Sequence, residues 1–326
     1  MNFRPSKSAL WLCFVTLCFT VALQRGFLAA QADEPTTLTI FAAGTLAVPF
    51  KAVSSIYEKK YPNVTVQAQF GGSVMMAKKI TDLHQDADVL AVADYSVIPK
   101  YMFGSRPRAA WYAGFARNAI TFVYTDKSKY ADEINADNWY KVLARKGVEI
   151  GRSDPNTDPS GYQTVQMLNL AEKYYKEPGL EQNILANAPL ANMRDTETSL
   201  ISALQLGQID YLAIYRSDAL QHHLKFIDLP AQINLSDPAH AADYQEGVAQ
   251  TKNGELTGKP IVYAITVVDG SKNAAAAAQY VALLLGPEGQ AIMKDAGFGE
   301  CHPAYGVHIE AMPTALKSMV QPWPGS

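Results

Sequence analysis

Along this chain, short apolar runs alternate with longer stretches whose apolar positions recur at helical spacing. The run Leu38-Thr39-Ile40-Phe41 predicts a buried strand, and residues 48–61 predict a helix that stops at Pro62. The alternating run Val64-Thr65-Val66-Gln67-Ala68 predicts a second strand, residues 74–83 a helix, residues 88–92 a third strand and residues 98–102 a short helix. This βαβαβ order predicts an α/β fold, with a parallel sheet carrying helices on both faces. Two longer β-rich runs, residues 119–124 and 261–268, bracket a middle section with its own alternation. There the pattern predicts a strand at 149–151, helices at 161–175 and 198–206, and a strand at 211–214. Helices at 274–285 and 288–296 follow. The simplest topology makes the middle section one domain and the two ends together the other. The two long runs would then be crossovers acting as a hinge.

Small polar turns open several of these helices. They are Ala43-Gly44-Thr45-Leu46, Phe70-Gly71-Gly72-Ser73-Val74, the stretch from Asn156 through Asp158-Pro159-Ser160-Gly161 to Tyr162, and Arg194-Asp195-Thr196-Glu197-Thr198-Ser199. A helix start offers unbonded N–H groups, and the helix dipole favours an anion there. Turns after successive parallel strands face one crevice, where ligands of open sheets bind. The last two turns also carry carboxylates, Asp158 and Glu197. Carboxylates make little sense around a simple anion and good sense around a metal oxyanion. Each residue also has a plain structural reading. Thr45 and Ser73 suit helix N-caps, Asp158 before Pro159 is a good N-cap, and Glu197 is an acid in a first turn.

Composition adds a leader and removes several function classes. Arg4 and Lys7 precede an apolar stretch at 9–23 that is too short to span a bilayer, and Ala30-Gln31-Ala32 is a small-x-small cleavage site. Residues 1–32 are therefore expected to be a signal peptide, with a periplasmic chain starting at Asp33. No small residue directly precedes Cys18, which argues against a lipoprotein anchor. Losing Arg4, Lys7 and Arg25 and no acid takes the net charge from −3 to −6, unsuited to nucleic acid. Cys301 is then the single cysteine, so neither an internal disulfide nor a cysteine–histidine metal cage is expected.

Further strings give the chain a family. Phe41-Ala42-Ala43-Gly44-Thr45-Leu46-Ala47-Val48-Pro49-Phe50 resembles the start of the tungstate- and molybdate-binding proteins of ABC importers. The likeness continues through Ala93-Asp94-Tyr95-Ser96-Val97-Ile98-Pro99, through 124–135 with Asp137-Asn138-Trp139-Tyr140, and through 154–162 to Ile214-Tyr215-Arg216-Ser217. It covers nearly all of the chain after the leader and is strongest to the archaeal-type tungstate-binding subfamily. The resemblance implies a type II periplasmic-binding fold with two lobes, 33–118 plus 265–326 and 119–264. It implies capture of tungstate or molybdate by a monomer, with delivery to a membrane permease and its ATPase and no resident cofactor. The ligand would be held by Gly44, Thr45, Ser73, Asp158, Glu197 and Tyr215. Asp158 and Glu197 would bond the metal and expand a tetrahedral shell toward an octahedron, as hard oxygen donors suit a high-valent metal. Tyr215 would offer its hydroxyl to a ligand oxygen, or else sit half-buried at a strand end. Thr45 stands where serine is commoner in the subfamily, and Ser160 where a cysteine is often found.

Asp94 and Tyr95 end the third strand near the expected crevice, with Asp94 read as a contact beside the ligand or between the lobes. His222 and His223 read as an exposed helix end, and Cys301-His302-Pro303 as unconnected with the site. A binding protein for another oxyanion or a small carboxylate is the alternative on the same fold. A secreted hydrolase would need a nucleophile, a base and an orienting acid. The sequence has neither a Gly-x-Ser-x-Gly elbow nor a His-Glu-x-x-His helix.

Overall fold

The computed structural model describes residues 35–194 and 197–324. The expected leader, Asp195 and Thr196 lie outside the described residues, as do the side chains of Glu197 and Thr198. Strands β1 (Thr36–Ala43), β2 (Val64–Gly71), β3 (Val89–Val92) and β4 (Tyr112–Arg117) come first. They are followed by β5 (Ile120–Tyr124), β6 (Ile150–Ser153), β7 (Met193–Arg194), β8 (Tyr211–Tyr215) and β9 (Lys225–Phe226). The series ends with β10 (Val248–Thr251), β11 (Gly254–Thr257), β12 (Val262–Val267), β13 (Gly299–Val307) and β14 (Val320–Pro322). One sheet has the order β14-β13-β4-β12-β3-β1-β2 and the other β7-β6-β8-β5-β9, while β10 and β11 form a separate hairpin.

Both sheets are mixed. β1 and β3 run parallel, as do β6 and β8, but β12 is antiparallel to β3 and β4, and β5 is antiparallel to β8 and β9. The parallel parts are the βαβ units that the periodicity predicts, and the antiparallel parts form where the chain passes between sheets. β3 and β12 are buried throughout, as strands covered on both faces must be. β2, at a sheet edge, alternates between half-buried and exposed over most of its length, which is why its sequence reads so plainly as a strand.

The first sheet draws on both ends of the chain. On one face the helix Ala47–Lys60 meets the helix Ala274–Leu285, where the Tyr280 ring lies 6.0 Å from Phe50 and 5.4 Å from Tyr57. On the other, the helices Ser73–Thr81 and Val97–Met102 bury Val74, Met76, Ile80 and Ile98 with Phe41, Leu90 and Val92. The second sheet is covered by the helix Pro159–Tyr175, and by the helix Glu197–Gln205, whose Leu200, Ile201 and Leu204 pack on Val123, Leu212 and Ile214.

The chain passes between the sheets twice, and the two passages lie together. Asn118 N donates to the Ile261 carbonyl at 3.3 Å, and Ile261 N to that of Leu235 at 2.8 Å. The two long β-rich runs are not themselves the passages. Most of the first is β5 and most of the second is β12, each a core strand of its sheet. The connections reduce to a few residues around Asn118 and Ile261. Burial on both faces, not a crossover role, accounts for the unbroken apolar character of these runs.

Candidate functional site

The site is built at the carboxyl ends of β1, β2, β6 and β8, where four turns lead into helices. They surround a cavity of about 360 Å³. Gly44, Ala47 and Val48 line it after β1, and Phe70, Gly71 and Gly72 at the end of β2. Asp158 enters from the turn after β6, Ile201 from the helix Glu197–Gln205, and Asp218, Gln221 and His222 from the segment after β8. Both sheets thus contribute walls.

On the first-sheet side the wall is mostly backbone. No side chain caps the 3-10 turn Gly44–Leu46 or the helix Ser73–Thr81, whose N-cap positions are Ala43 and Gly72. Thr45 and Ser73 are therefore not N-caps. The Ser73 hydroxyl instead accepts from Ala93 N at 2.9 Å, which ties the turn to the end of β3. Gly72 is required by close approach. A Cβ there would lie 2.4 Å from the Thr157 carbonyl oxygen. Met75 N donates to that same oxygen at 3.3 Å, so this contact joins the two halves of the molecule beside the cavity.

The second-sheet side brings carboxylates. Asp158 is the N-cap of the helix Pro159–Tyr175, and its Oδ1 accepts from Ser160 N at 2.7 Å. The capping reading is correct, and the same side chain also lines the cavity. Burial raises its pKa against the pull of the Ser160 hydrogen bonds, and Asp154 adds to the rise. Gly161 allows the helix to start against the chain that leads into it, since a Cβ would lie 2.6 Å from the Ser153 carbonyl oxygen.

Asp218 was not singled out from the sequence. It is 2 % exposed, in the first turn of the helix Arg216–Gln221. Its Oδ2 is buried without a hydrogen-bond partner among the described residues. Burial pushes its pKa up to about 7, the Thr45 hydroxyl lowers it, and the Asp158 charge raises it. A chain of hydrogen bonds directs that hydroxyl. Asn118 Oδ1 accepts from Ala119 N and Ser217 N, so its amide nitrogen is the donor to Ser217 Oγ at 2.8 Å. Ser217 Oγ lies 3.1 Å from Thr45 Oγ1, and donation in that direction leaves the Thr45 proton for Asp218. The one signal in the sequence was an acid shortly after an apolar strand, which polar helix starts commonly show.

The other residues singled out from the sequence divide. Gly44 and Asp158 stand in the cavity wall; Thr45 and Ser73 stand behind it, with their hydroxyls committed to protein partners. Glu197 opens its helix four positions before Ile201. Tyr215 is fully buried, donates to Gln163 Oε1 at 2.8 Å and is not part of the wall. Asp94 spans the two halves. Its Oδ2 accepts from Tyr162 OH at 2.7 Å, its Oδ1 from Ser96 N at 2.8 Å, and Lys259 Nζ lies 3.0 Å from Oδ1. Burial raises its pKa, but Lys259, Tyr162 and Ser96 together outweigh burial and hold the carboxyl below its ordinary range. Tyr95 lies under Trp323, with ring centroids 4.4 Å apart. His222 is an exposed residue just past its helix, as read, and burial of its ring lowers its pKa. Cys301 is buried in β13, donates to the Gly114 carbonyl and has its thiol pushed up to about 11 by burial.

Comparison with known proteins agrees with this architecture. Residues 38–299 match the family described as bacterial extracellular solute-binding protein. A solute-binding protein of Petrotoga mobilis is 39 % identical over 302 residues, covering 91 % of this chain and 94 % of that protein. The molybdate/tungstate-binding protein WtpA of Thermococcus kodakarensis is 37 % identical over 321 residues, covering 90 % of each chain. The solved periplasmic molybdate-binding protein of Azotobacter vinelandii shares the fold at a TM-score of 0.60 and 19 % identity, over 80 % of this chain and 98 % of that one. The sulfate-binding protein SubI of Mycobacterium tuberculosis does so at 0.57 and 13 %, over 88 % and 92 %. With its two helix-flanked sheets joined by paired crossings, and a family match spanning most of its length, this chain belongs to the bacterial extracellular solute-binding proteins.

Proposed function

We propose that this chain is a binding protein, not an enzyme, that captures tungstate or molybdate outside the cytoplasmic membrane and hands it to an ABC permease and its ATPase. In this reading residues 1–32 are a cleaved leader. Residues 33–118 with 265–326 form one lobe and 119–264 the other, and the protein acts as a periplasmic monomer without a resident cofactor. The observation that carries the reading is the buried Asp158 carboxylate in the wall of a cavity otherwise bounded largely by glycine turns and helix starts. Backbone N–H groups at helix starts attract the oxygens of an oxyanion. A carboxylate repels those oxygens and becomes favourable only by bonding the central atom. Tungsten and molybdenum accept additional hard oxygen donors, whereas sulfur and phosphorus in their oxyanions do not. Support also comes from WtpA, whose name assigns it the same ligands.

The Asp94–Tyr162 bond and the Gly72–Thr157 contact would act as closures around the ligand, with release to the permease requiring both to part. The test is a thermal shift and titration of the purified protein with tungstate, molybdate, sulfate and phosphate. Tungstate or molybdate at about a hundred times its Kd is expected to add roughly 2.7 kcal/mol, with sulfate silent. An equal shift with sulfate would favour a general oxyanion binder and remove the metal-bonding role from Asp158.

A further inference from the structure

We infer that the hairpin of β10 and β11 is a clasp between the two halves of the molecule, and that Asn253 at its tip is the positioning residue that holds the Asp158 turn closed over the ligand. This rests on the reading above and adds a residue to its working. The hairpin belongs to neither sheet and stands on the helix that Asp158 caps. Gln166 Nε2 donates to the Leu256 carbonyl at 3.0 Å, and Val248 N donates to Asn169 Oδ1 at 3.3 Å. Thr251 and Gly254 pair across the far end, and Gly254, at φ +104°, permits so tight a turn. The tip residues Lys252 and Asn253 thereby reach the turn that leads into Asp158. Lys252 N donates to Asn156 Oδ1 at 2.8 Å, and Asn253 Nδ2 to the Asn156 carbonyl at 3.2 Å. That second bond fixes the Asn253 amide and turns its Oδ1 toward the first sheet. There Oδ1 accepts from Lys78 Nζ at 3.2 Å, and the Asn253 carbonyl accepts from Lys100 Nζ at 3.0 Å. Lys78 lies on the helix Ser73–Thr81, which starts at the cavity wall beside Gly72, and Lys100 lies on the helix Val97–Met102. Both ammonium groups also lie over the Tyr101 ring, at 5.6 and 5.8 Å from its centre, which steadies them. One asparagine thus bonds the turn that presents Asp158 and two helices of the opposite half.

Opening the cleft breaks the lysine bonds, whereas the bonds to Asn156 and to the hairpin's own helix travel with it. The clasp therefore acts on release, because it has to part before the anion leaves. Loss of such a contact shows in the dissociation rate and leaves association almost unchanged. The test is the rate at which preloaded tungstate leaves the protein under a chase of excess molybdate, read as tungsten retained by the protein. Association rate and the melting temperature of the empty protein are measured beside it. Asn253→Ala removes the Lys78 bond and is expected to speed release about fivefold, the scale of one net hydrogen bond. Association and the empty melting temperature should stay at parent values. Lys78→Met combined with Lys100→Met keeps the apolar stems on Tyr101 and leaves the hairpin untouched. It is expected to speed release at least as much, and it carries the test if Asn253→Ala folds poorly. Parent-like release in Asn253→Ala or in the double lysine variant would overturn the inference. So would a lowered empty melting temperature in Asn253→Ala without faster release, which would make the hairpin part of the fold alone. Binding of sulfate or phosphate in place of tungstate and molybdate would instead defeat the proposed function, and the same release measurement with that anion would still decide the clasp.

Discussion

Two buried aspartates, each 2 % exposed, have opposite fates in this molecule. Asp94 is fully provided for. Tyr162, Ser96 and Lys259 satisfy both of its oxygens, and its carboxyl is held below its ordinary range. Asp218 keeps one oxygen without a partner among the described residues, and its pKa is pushed up to about 7. Burial alone therefore does not decide how a carboxylate is held here. The distinction is whether the fold completes the partner set. Asp94 closes a contact between two parts of the chain, whereas Asp218 Oδ2 finds no partner among the described residues.

The largest expected effect falls on the provided-for member. Asp94→Asn leaves Lys259 beside a neutral amide, and breaking a buried ion pair in this way costs about 3 kcal/mol. Urea denaturation should register this as a lower midpoint at unchanged slope. A loss under ~0.5 kcal/mol, the range of an ordinary surface change, would show that the two aspartates are not different in kind.

Acidity offers the next contrast, because the two carboxyls shift in opposite directions. The folded pKa of Asp218, about 7, lies above its ordinary value of 3.8. Its contribution to stability is thus fully present below that ordinary value and is lost as pH rises through about 7. Asp94 has a lowered pKa, so its contribution is present above its ordinary value and is lost only as pH falls through the folded one. Between pH 4 and 8 the empty parent should therefore lose stability with rising pH relative to Asp218→Asn, whereas Asp94→Asn should run parallel to the parent. Parallel profiles for parent and Asp218→Asn would remove the contrast.

A smaller effect is expected where the two halves meet without charge. The Cβ of Gly72→Ala would collide with the Thr157 carbonyl. The halves must then separate slightly beside the cavity, and tungstate affinity should drop about tenfold, roughly 1.4 kcal/mol. The melting temperature of the empty protein should change little. Small-angle scattering with saturating tungstate should show a less compact particle than the loaded parent. Unchanged affinity would mean that closure does not pass through this contact.

Much of this was legible in the sequence, for definite reasons. Leu38–Phe41 and Val64–Ala68 carry clear strand patterns because one lies in the covered middle of a sheet and the other at its edge. Asp158-Pro159 marks a helix start whatever surrounds it. β4, with Ala113, Gly114 and Ala116, has small residues where a strand pattern would need bulky ones, and β13 contains Pro303. The mixed character of the first sheet was hidden in those two strands. Asp218 was hidden for another reason. Its local sequence is an ordinary polar helix start, and its isolation is created by Asp158, which lies far away in sequence and reaches the same cavity only through the fold.

The order of strands in the first sheet has a consequence for how the chain acquires its structure. β12 lies between β3 and β4, yet the whole segment from Asn118 to Ile261 separates β4 from β12 in sequence. The second sheet can assemble from one continuous stretch. In the first, β3, β1 and β2 are neighbours and can pair early, but β4 cannot join them until β12 arrives between β3 and β4. Closing so long a loop is slow, and it keeps apolar edges exposed in the meantime. The sheet that carries β1 cannot close while β12 is still to emerge, so the edges of β3 and β4 stay open until the whole of the second sheet has been made.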